Sequence, residues 1–396
     1  MPRKGRGFTS YTVVSGIWMN RNAPDLLPAL YRAALAAVDP EHAVRSALRL
    51  PEVARAVRNA RRVGVFAVGK AAAGMFRAAW KPGREGLVVL PRGYGSPRAR
   101  GVRVHFSSHP EPDPSSVLAA REAVLFFSTF GPRDLVLCLV SGGASSLLCL
   151  PRAGVTLAAK KRAVARLVRT GAPIEELNRL RTSLSAIKGG RLGRHTQARL
   201  VTLVLSDVPG DRASLVGSGP TVRGRRGDVT RVVAANRDGL AGAASQARRS
   251  GLRVRLSRRR LAGEAREAGT SLARAAARLA PGTVLLAGGE PTVSLGRTNG
   301  TGGRSLELAL AAAIALEGIP DVAVLAAGSD GRDGSSRAAG AVVDGRTIER
   351  AKRRGFIANR ALARHDAEPL LEAAGALVVT GPTGTNVADW AFAVRR

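Results

Sequence analysis

The chain has 396 residues, with 62 Lys+Arg against 29 Asp+Glu and a formal charge of +33. Hydrophobic residues make up 45% and charged residues 23%, which excludes wholesale disorder and leaves room for more than one core. Only seven of the basic residues are Lys and the remaining 55 are Arg, a uniform bias rather than a Lys/Arg arm, so charge alone does not name a polyanionic partner.

Two cysteines, Cys138 and Cys149, exclude a disulfide framework and any CxxC metal site. Cys138 in DLVLCLV reads as a small buried hydrophobe. The five His show no ligand spacing; His105 and His109 fall in a strand and a Pro-rich loop, not on one helix face. No apolar stretch approaches the roughly 18 residues of a membrane span, and the basic start has no apolar signal core behind it. A cytoplasmic protein, monomer or homodimer, is the expectation.

In chain order, residues 1–23 show no helical period and read as a tail, and Met19 is the expected translation start because the amphipathic pattern opens just after it. Apolar, β-rich runs then alternate with helical stretches. The runs are Val63–Lys70, Leu87–Gly95, Asp134–Ser146, Leu200–Asp211, Thr283–Val293, Val322–Gly334 and Ala376–Asn386, each ending in a Gly-containing loop that in the last five carries Ser, Thr or Asp. Near-continuous apolar strands between helices predict an α/β fold of parallel sheets covered on both faces. Ligands of such sheets sit beyond the carboxyl ends of the strands, where these loops lie. A basic stretch at 248–260 marks an expected domain break near residue 245, with a GLRVRLS strand opening the second domain.

Gly64, Gly69 and Lys70 formally satisfy a P-loop pattern, but VFAV between the glycines is strand and Ala71 replaces the metal-binding hydroxyl. Lys70 instead heads a helix, an arrangement that attracts anions. SGGASSLL offers a backbone cradle at Gly142 and Gly143 with hydroxyls from Ser141, Ser145 and Ser146. SAIKGGRL flanks Gly189 and Gly190 with Lys188 and Arg191, and GGRSLEL starts a helix at Arg304. Asp207, Asp330 and Asp333 stand at strand ends, where a carboxylate organises Mg²⁺ or takes a hydroxyl proton, or merely forms an Asx-turn.

The ordered set VGKAAAGM, SSHPEPD, SGGASSLL, IEELNRLRTSLSAIKGGRL, SDVPGD, GSGPT, GGEPTV, GGRSLELAL, GSDGRDG and GPTGTNVAD resembles the glycerate 2-kinase family, some members of which carry hydroxypyruvate reductase names. The second half is similar to the module called MOFRL. The resemblance runs from about residue 25 to 390 with the motifs in family order. It implies ATP-dependent phosphorylation of D-glycerate at the 2-hydroxyl, giving 2-phosphoglycerate, with Mg²⁺. It also implies a Rossmann-like parallel-sheet domain over 24–245 and a smaller α/β domain over 246–396, with the active site in the cleft between them. Lys70 and Arg304 fall on the family's important Lys and Arg, as electrostatic stabilisers of a charge-spread transition state. The cradles above, with Thr383, Gly384 and Asn386 of GPTGTN, would hold phosphate or the glycerate carboxylate.

The chain departs from the family pattern at Ser305 (an Asn elsewhere), at Thr182-Ser183, at Arg223 and at Asn359-Arg360-Ala361, changes that bear on which hydroxy acid is taken. Two rivals stand beside the kinase. A nicotinamide-dependent hydroxypyruvate reductase needs a G-x-G-x-x-G turn, which VGKAAAGM lacks. A nucleic-acid-binding protein needs stacking aromatics or a basic stripe, whereas aromatics are 4% and the basic runs are scattered.

Overall fold

The computed structural model describes residues 26–97, 99–169, 174–295 and 300–396. The expected tail and the Met19 start lie outside the described residues. Two compact units emerge. One holds Val38–Ala235 and Gly384–Val387; the other holds the helix Leu26–Ala37, Asn236–Thr383 and Ala388–Arg396.

The Val38–Ala235 unit is built on six strands: β1 (Val63–Val68), β2 (Glu85–Pro91), β3 (Val102–Ser107), β4 (Leu135–Val140), β5 (Arg199–Leu205) and β6 (Val229–Ala234). All five pairings are parallel, in the order β3-β2-β1-β4-β5-β6. β4 is buried at every residue, which is why LVLCLV carries no polar alternation. One face packs Phe66, Phe126, Phe127 and Phe130 against the aliphatics of β4 and β5. Gly64 lies inside β1, as its strand reading required, and a Cβ there would fall 2.3 Å from the Phe130 ring. The strand order reverses between β1 and β4, the point at which parallel sheets open a crevice.

The other unit contains β7 (Arg253–Leu256), β8 (Thr283–Gly289), β9 (Val322–Gly328), β10 (Gly340–Asp344), β11 (Leu377–Val378) and β12 (Asp389–Arg395), ordered β11-β10-β9-β12-β8-β7. Here the expectation of parallel sheets needs correction. Only β7 and β8 pair in parallel; the other four pairings are antiparallel. The cause is β12, whose DWAFAVR run inserts antiparallel between β8 and β9, with β10 running back beside β9. Trp390 of β12 is fully buried and meets Tyr31 edge-on, with ring centroids 6.0 Å apart.

The break expected near residue 245 also moves. A single helix, Asn236–Arg249, runs through that position, and the helix Leu26–Ala37 packs along it. Gly242 makes that contact possible: a Cβ would sit 2.5 Å from that of Ala37. No helix among the described residues is long and apolar enough to cross a membrane.

Asp134, just before β4, shows how the Arg surplus is used. Its buried carboxylate accepts from Arg62 Nη2 at 2.9 Å, Arg61 Nε at 3.2 Å and the Gly131 amide at 2.9 Å. The Arg62 hydrogen bond holds its pKa well below the usual carboxylate range despite burial. A carboxylate lowered on folding stabilises above its unfolded pKa of about 4 and loses that contribution as pH falls. Asp134→Asn should therefore cost about 2 kcal/mol at pH 7 in urea unfolding, with the deficit shrinking as the pH is taken below 4. A deficit independent of pH would contradict this account.

Candidate functional site

In the parallel-sheet unit, the chain leaves β1 through Gly69 (φ +121°) into Lys70 and the helix Ala72–Ala79. It leaves β4 through Ser141, Gly142 and Gly143 (φ +86°) into the short helix Ala144–Leu147. These two turns are bolted together. Ser141 N donates to Val68 O at 3.0 Å, Lys70 N to Gly142 O at 2.9 Å, and Ala71 N to Ser141 Oγ at 3.1 Å. A Cβ on Gly69 would fall 2.1 Å from Ser141 Oγ, so only glycine lets the strands end side by side.

Around this joint the structure gathers several residues marked by sequence. Asn386 Nδ2 donates to Asp207 Oδ2 at 3.1 Å, and a Cβ on Gly142 would meet both groups, at 2.0 and 2.1 Å. A Cβ on Gly143 would lie 3.5 Å from Lys70 Cγ and 3.0 Å from His109 Cδ2. Lys70, Gly142, Gly143, Asp207 and Asn386 thus share one corner at the β1/β4 switch point. His109 joins them, although no His spacing singled it out; its only signal was its place in SSHPEPD.

Other marked residues are placed differently. Ser141 is fully buried and spent on the joint, and Ser146 Oγ donates back to Gly143 O at 3.1 Å. The amides of Gly189 and Gly190 donate to Ser218 O and Gly219 O at 2.9 and 2.8 Å, bracing IKGGR against GSGPT instead of facing an anion. Arg191 Nη1 is taken by the carbonyls of Thr182 at 2.7 Å and Ser185 at 2.8 Å. Lys188 is buried, with Nζ donating to Ser145 O at 2.7 Å and to Ser145 Oγ. Arg223, a departure from the family pattern, is a core staple: it pairs with Asp228 at 2.7 Å and donates to Ala198 O and Thr196 O.

In the mixed-sheet unit, Arg304 opens the helix Arg304–Ala315. Its Nη1 meets Glu290 Oε1 at 2.5 Å, and its Nε and Nη2 face the carboxylate of Asp389 at the start of β12. Among the described residues, three of the five N–H donors of the guanidinium are taken. Burial opposes its charge, but Asp389 and Glu290 prevail and raise its pKa. Asp333 caps the same helix, accepting from Ser305 N at 3.1 Å and Leu306 N at 2.7 Å. Each of its oxygens accepts one amide of the helix start, which makes Asp333 a cap of that helix. Ser305 contributes its amide there with its side chain buried. Asp330 accepts from Arg332 N at 3.1 Å, the Asx-turn alternative, while Thr383 N donates to Asp330 O at 3.2 Å and Thr383 Oγ1 to Ser329 O. Gly384 turns the chain at φ +79° on the way to Asn386.

Among the described residues no group of three or more His, Cys, Asp and Glu could hold a metal by itself. Mg²⁺ that arrives with a nucleotide needs only one or two protein carboxylates besides phosphate and water. Asp207, at a strand end beside glycine backbone and an amide, has the chemistry for that.

An all-parallel sheet with a lysine, a double-glycine turn and a carboxylate at its switch point is the architecture of an α/β enzyme suited to an anionic ligand. The profile described as a domain of unknown function, DUF4147, matches residues 26–247, and the MOFRL family matches residues 283–389. D-glycerate 2-kinase of Thermotoga maritima is 35% identical across 91% of this chain and 95% of its own length. A protein of Agrobacterium vitis with a provisional hydroxypyruvate reductase name is 38% identical across 94% of each. The crystal structure of Thermotoga maritima glycerate kinase superposes with a TM-score of 0.81 at 33% identity, covering 94% of this chain and 99% of that one. The chain belongs to the glycerate 2-kinase family.

Two outcomes check these placements. Gly142→Ala should drive Asp207 and Asn386 apart, cutting turnover by roughly tenfold or more while Tm falls by only a few degrees; unchanged turnover would mean the corner is not used. Burial pushes Asp333 up to about 7. Its folded pKa then exceeds its unfolded value of about 4, so its contribution to stability is complete below pH 4 and lost as pH rises through 7. Asp333→Asn should flatten the Tm–pH curve across that window, and a curve of unchanged slope would refute the shift.

Proposed function

We infer that this protein phosphorylates D-glycerate at its 2-hydroxyl with ATP, giving 2-phosphoglycerate. The observation that carries the reading is the corner at the β1/β4 switch point, with Lys70 beside Gly142–Gly143, Asp207 and Asn386, in a chain that aligns with a D-glycerate 2-kinase along nearly all its length.

Phosphoryl transfer through a loose transition state asks for positioning and positive charge rather than a covalent intermediate. Lys70, at the head of the helix Ala72–Ala79, supplies an ammonium beside the glycine turn, where backbone can approach phosphate closely. Asp207 would hold Mg²⁺, which neutralises the nucleotide phosphates when bound. Asn386 orients the Asp207 carboxylate by its hydrogen bond. Arg304 supplies a second fixed positive charge. Its carboxylate partners fix the guanidinium plane before any ligand arrives.

The reductase alternative is disfavoured by the β1 turn. Only Gly69 stands there before Gly74, and Gly74 is buried against Pro40, where a Cβ would fall 2.6 Å from the Pro ring. A dinucleotide turn needs its second glycine at the pyrophosphate.

The decisive experiment is a coupled assay with D-glycerate, ATP and Mg²⁺, with the product position read by phosphorus NMR. The wild type should form 2-phosphoglycerate. Lys70→Ala and Arg304→Ala should each lose roughly 10²-fold or more in kcat/KM, the scale of removing one preorganised charge from a transition state. NADH-dependent reduction of hydroxypyruvate without phosphoglycerate formation, or full activity in Lys70→Ala, would overturn the assignment.

A further inference from the structure

Lys160 belongs to none of the loops considered so far. It lies on the helix Leu157–Arg169 with 4% of its surface exposed, and among the described residues its buried Nζ has no oxygen or nitrogen acceptor, only the weakly accepting Cys149 thiol beside it. Lys188, 2% exposed, is its electrostatic neighbour, and Arg181 adds a third positive charge to both. Burial and then the Lys160 charge depress the Lys188 ammonium well below its usual range, and burial depresses Lys160 too.

Among the described residues no carboxylate pairs with these groups. Among the described residues none of Lys160, Lys188, Arg181 and Arg191 makes an ion pair. Arg191 is satisfied by backbone carbonyls, Lys188 by Ser145, and the side chain beside Lys160 is the thiol of Cys149. Arg181 cannot shed its proton to relieve the repulsion. Taking like charges out of water is costly unless an anion shares the space. Without an anion, both lysines are pushed toward their neutral forms, and an oxyanion entering beside the buried Lys160 Nζ would restore their charge and relieve that cost. Asn178 reinforces the arrangement from the helix Ile174–Ser183, accepting from Ser218 Oγ at 3.2 Å, while Ser218 Oγ lies 3.4 Å from Ser145 Oγ. These hydroxyls and the Lys188 ammonium are thereby held in one place against the SGGASS loop.

We propose that Lys160 and Lys188 form a buried site for a small oxyanion, the carboxylate or phosphate group of a ligand, with Lys160 the residue that meets it. Lys188 fixes the loop through Ser145 and adds field, whereas the Lys160 ammonium is the donor not given to protein. The site stands on these residues and does not require the kinase reading. If that reading holds, the occupants at hand are the glycerate carboxylate and the product phosphate.

Calorimetric titration of the full chain without nucleotide, using inorganic phosphate in one arm and D-glycerate in the other, tests it. The wild type should bind at least one of the two. Binding of glycerate alone marks a carboxylate site, and binding of phosphate alone a phosphate site. Lys160→Met should weaken that binding by about tenfold or more, and Lys160→Arg should keep it within a few-fold. If Lys160→Met does not fold, the ligand-induced rise in Tm is compared between Lys160→Arg and Lys160→Gln, and only the arginine variant should retain it. Binding of neither probe by the wild type, or equal binding in Lys160→Met, overturns the proposal. The titration needs no turnover, so a chain that fails to phosphorylate glycerate but loses phosphate binding with Lys160→Met would sink the kinase reading and leave this site standing.

Discussion

The joint between the ends of β1 and β4 sets the geometry of the parallel-sheet unit's chemistry. Ser141 bonds the Val68 carbonyl through its amide and receives the Ala71 amide on its hydroxyl, while Lys70 reaches across to the Gly142 carbonyl. These contacts force Gly69 to be glycine, pressed to about 2 Å by Ser141 at the Cβ position, while Asn386 and Asp207 do the same to Gly142. They also decide where the Lys70 side chain starts. Because the sheet reverses its strand order at this pair, two helices diverge from the joint and leave backbone, rather than side chains, at the surface between them. The exposed backbone of the corner is thus a by-product of how two strands finish.

The Arg surplus has a structural side. Arg223 ties Ala198, Thr196 and Asp228 together, Arg191 gathers the carbonyls at the end of the helix Ile174–Ser183, and Arg395 holds Ala277, Leu279 and Asp321. A planar guanidinium with five donors suits loops whose carbonyls converge. The rarer lysines do something else. Of seven, Lys70 stands at the switch-point corner and Lys160 and Lys188 are buried together. In a chain that uses Arg for bracing, the positions that keep Lys are the informative ones.

The strands of the parallel sheet were legible because each is a continuous apolar run ending in a glycine loop, as in LVLCLV before SGG. β12 and β10 were not. DWAFAVR and GAVVD are short and buried like their neighbours, and nothing local announces that they run the other way; direction is fixed by pairing partners far off in the chain. At the site, glycine and lysine positions could be read from the strand-to-helix pattern, and Asp207 from its strand end. Residue type did not reveal which polar groups are spent on scaffolding. Ser141, Gly189, Gly190 and Asp333 carry the right chemistry, yet each is committed to backbone elsewhere. Lys160 escaped notice for the converse reason. KKRAVAR has the look of a solvated helix face, and only the fold turns one of its lysines inward.

The position of β12 has a consequence for how the molecule is made. The strand pairs with β9 on one side and β8 on the other, and it follows both in the chain. Until it is made, β8 and β9 each have an unpaired edge, and the helix Leu26–Ala37 meets the helix Asn236–Arg249 only after residues 38–235 have been synthesised between them. The segment Gly384–Val387, just before β12, delivers Asn386 to Asp207. Completion of the mixed sheet and of the switch-point corner therefore fall together, and the unpaired strand edges that precede them invite chaperones or aggregation.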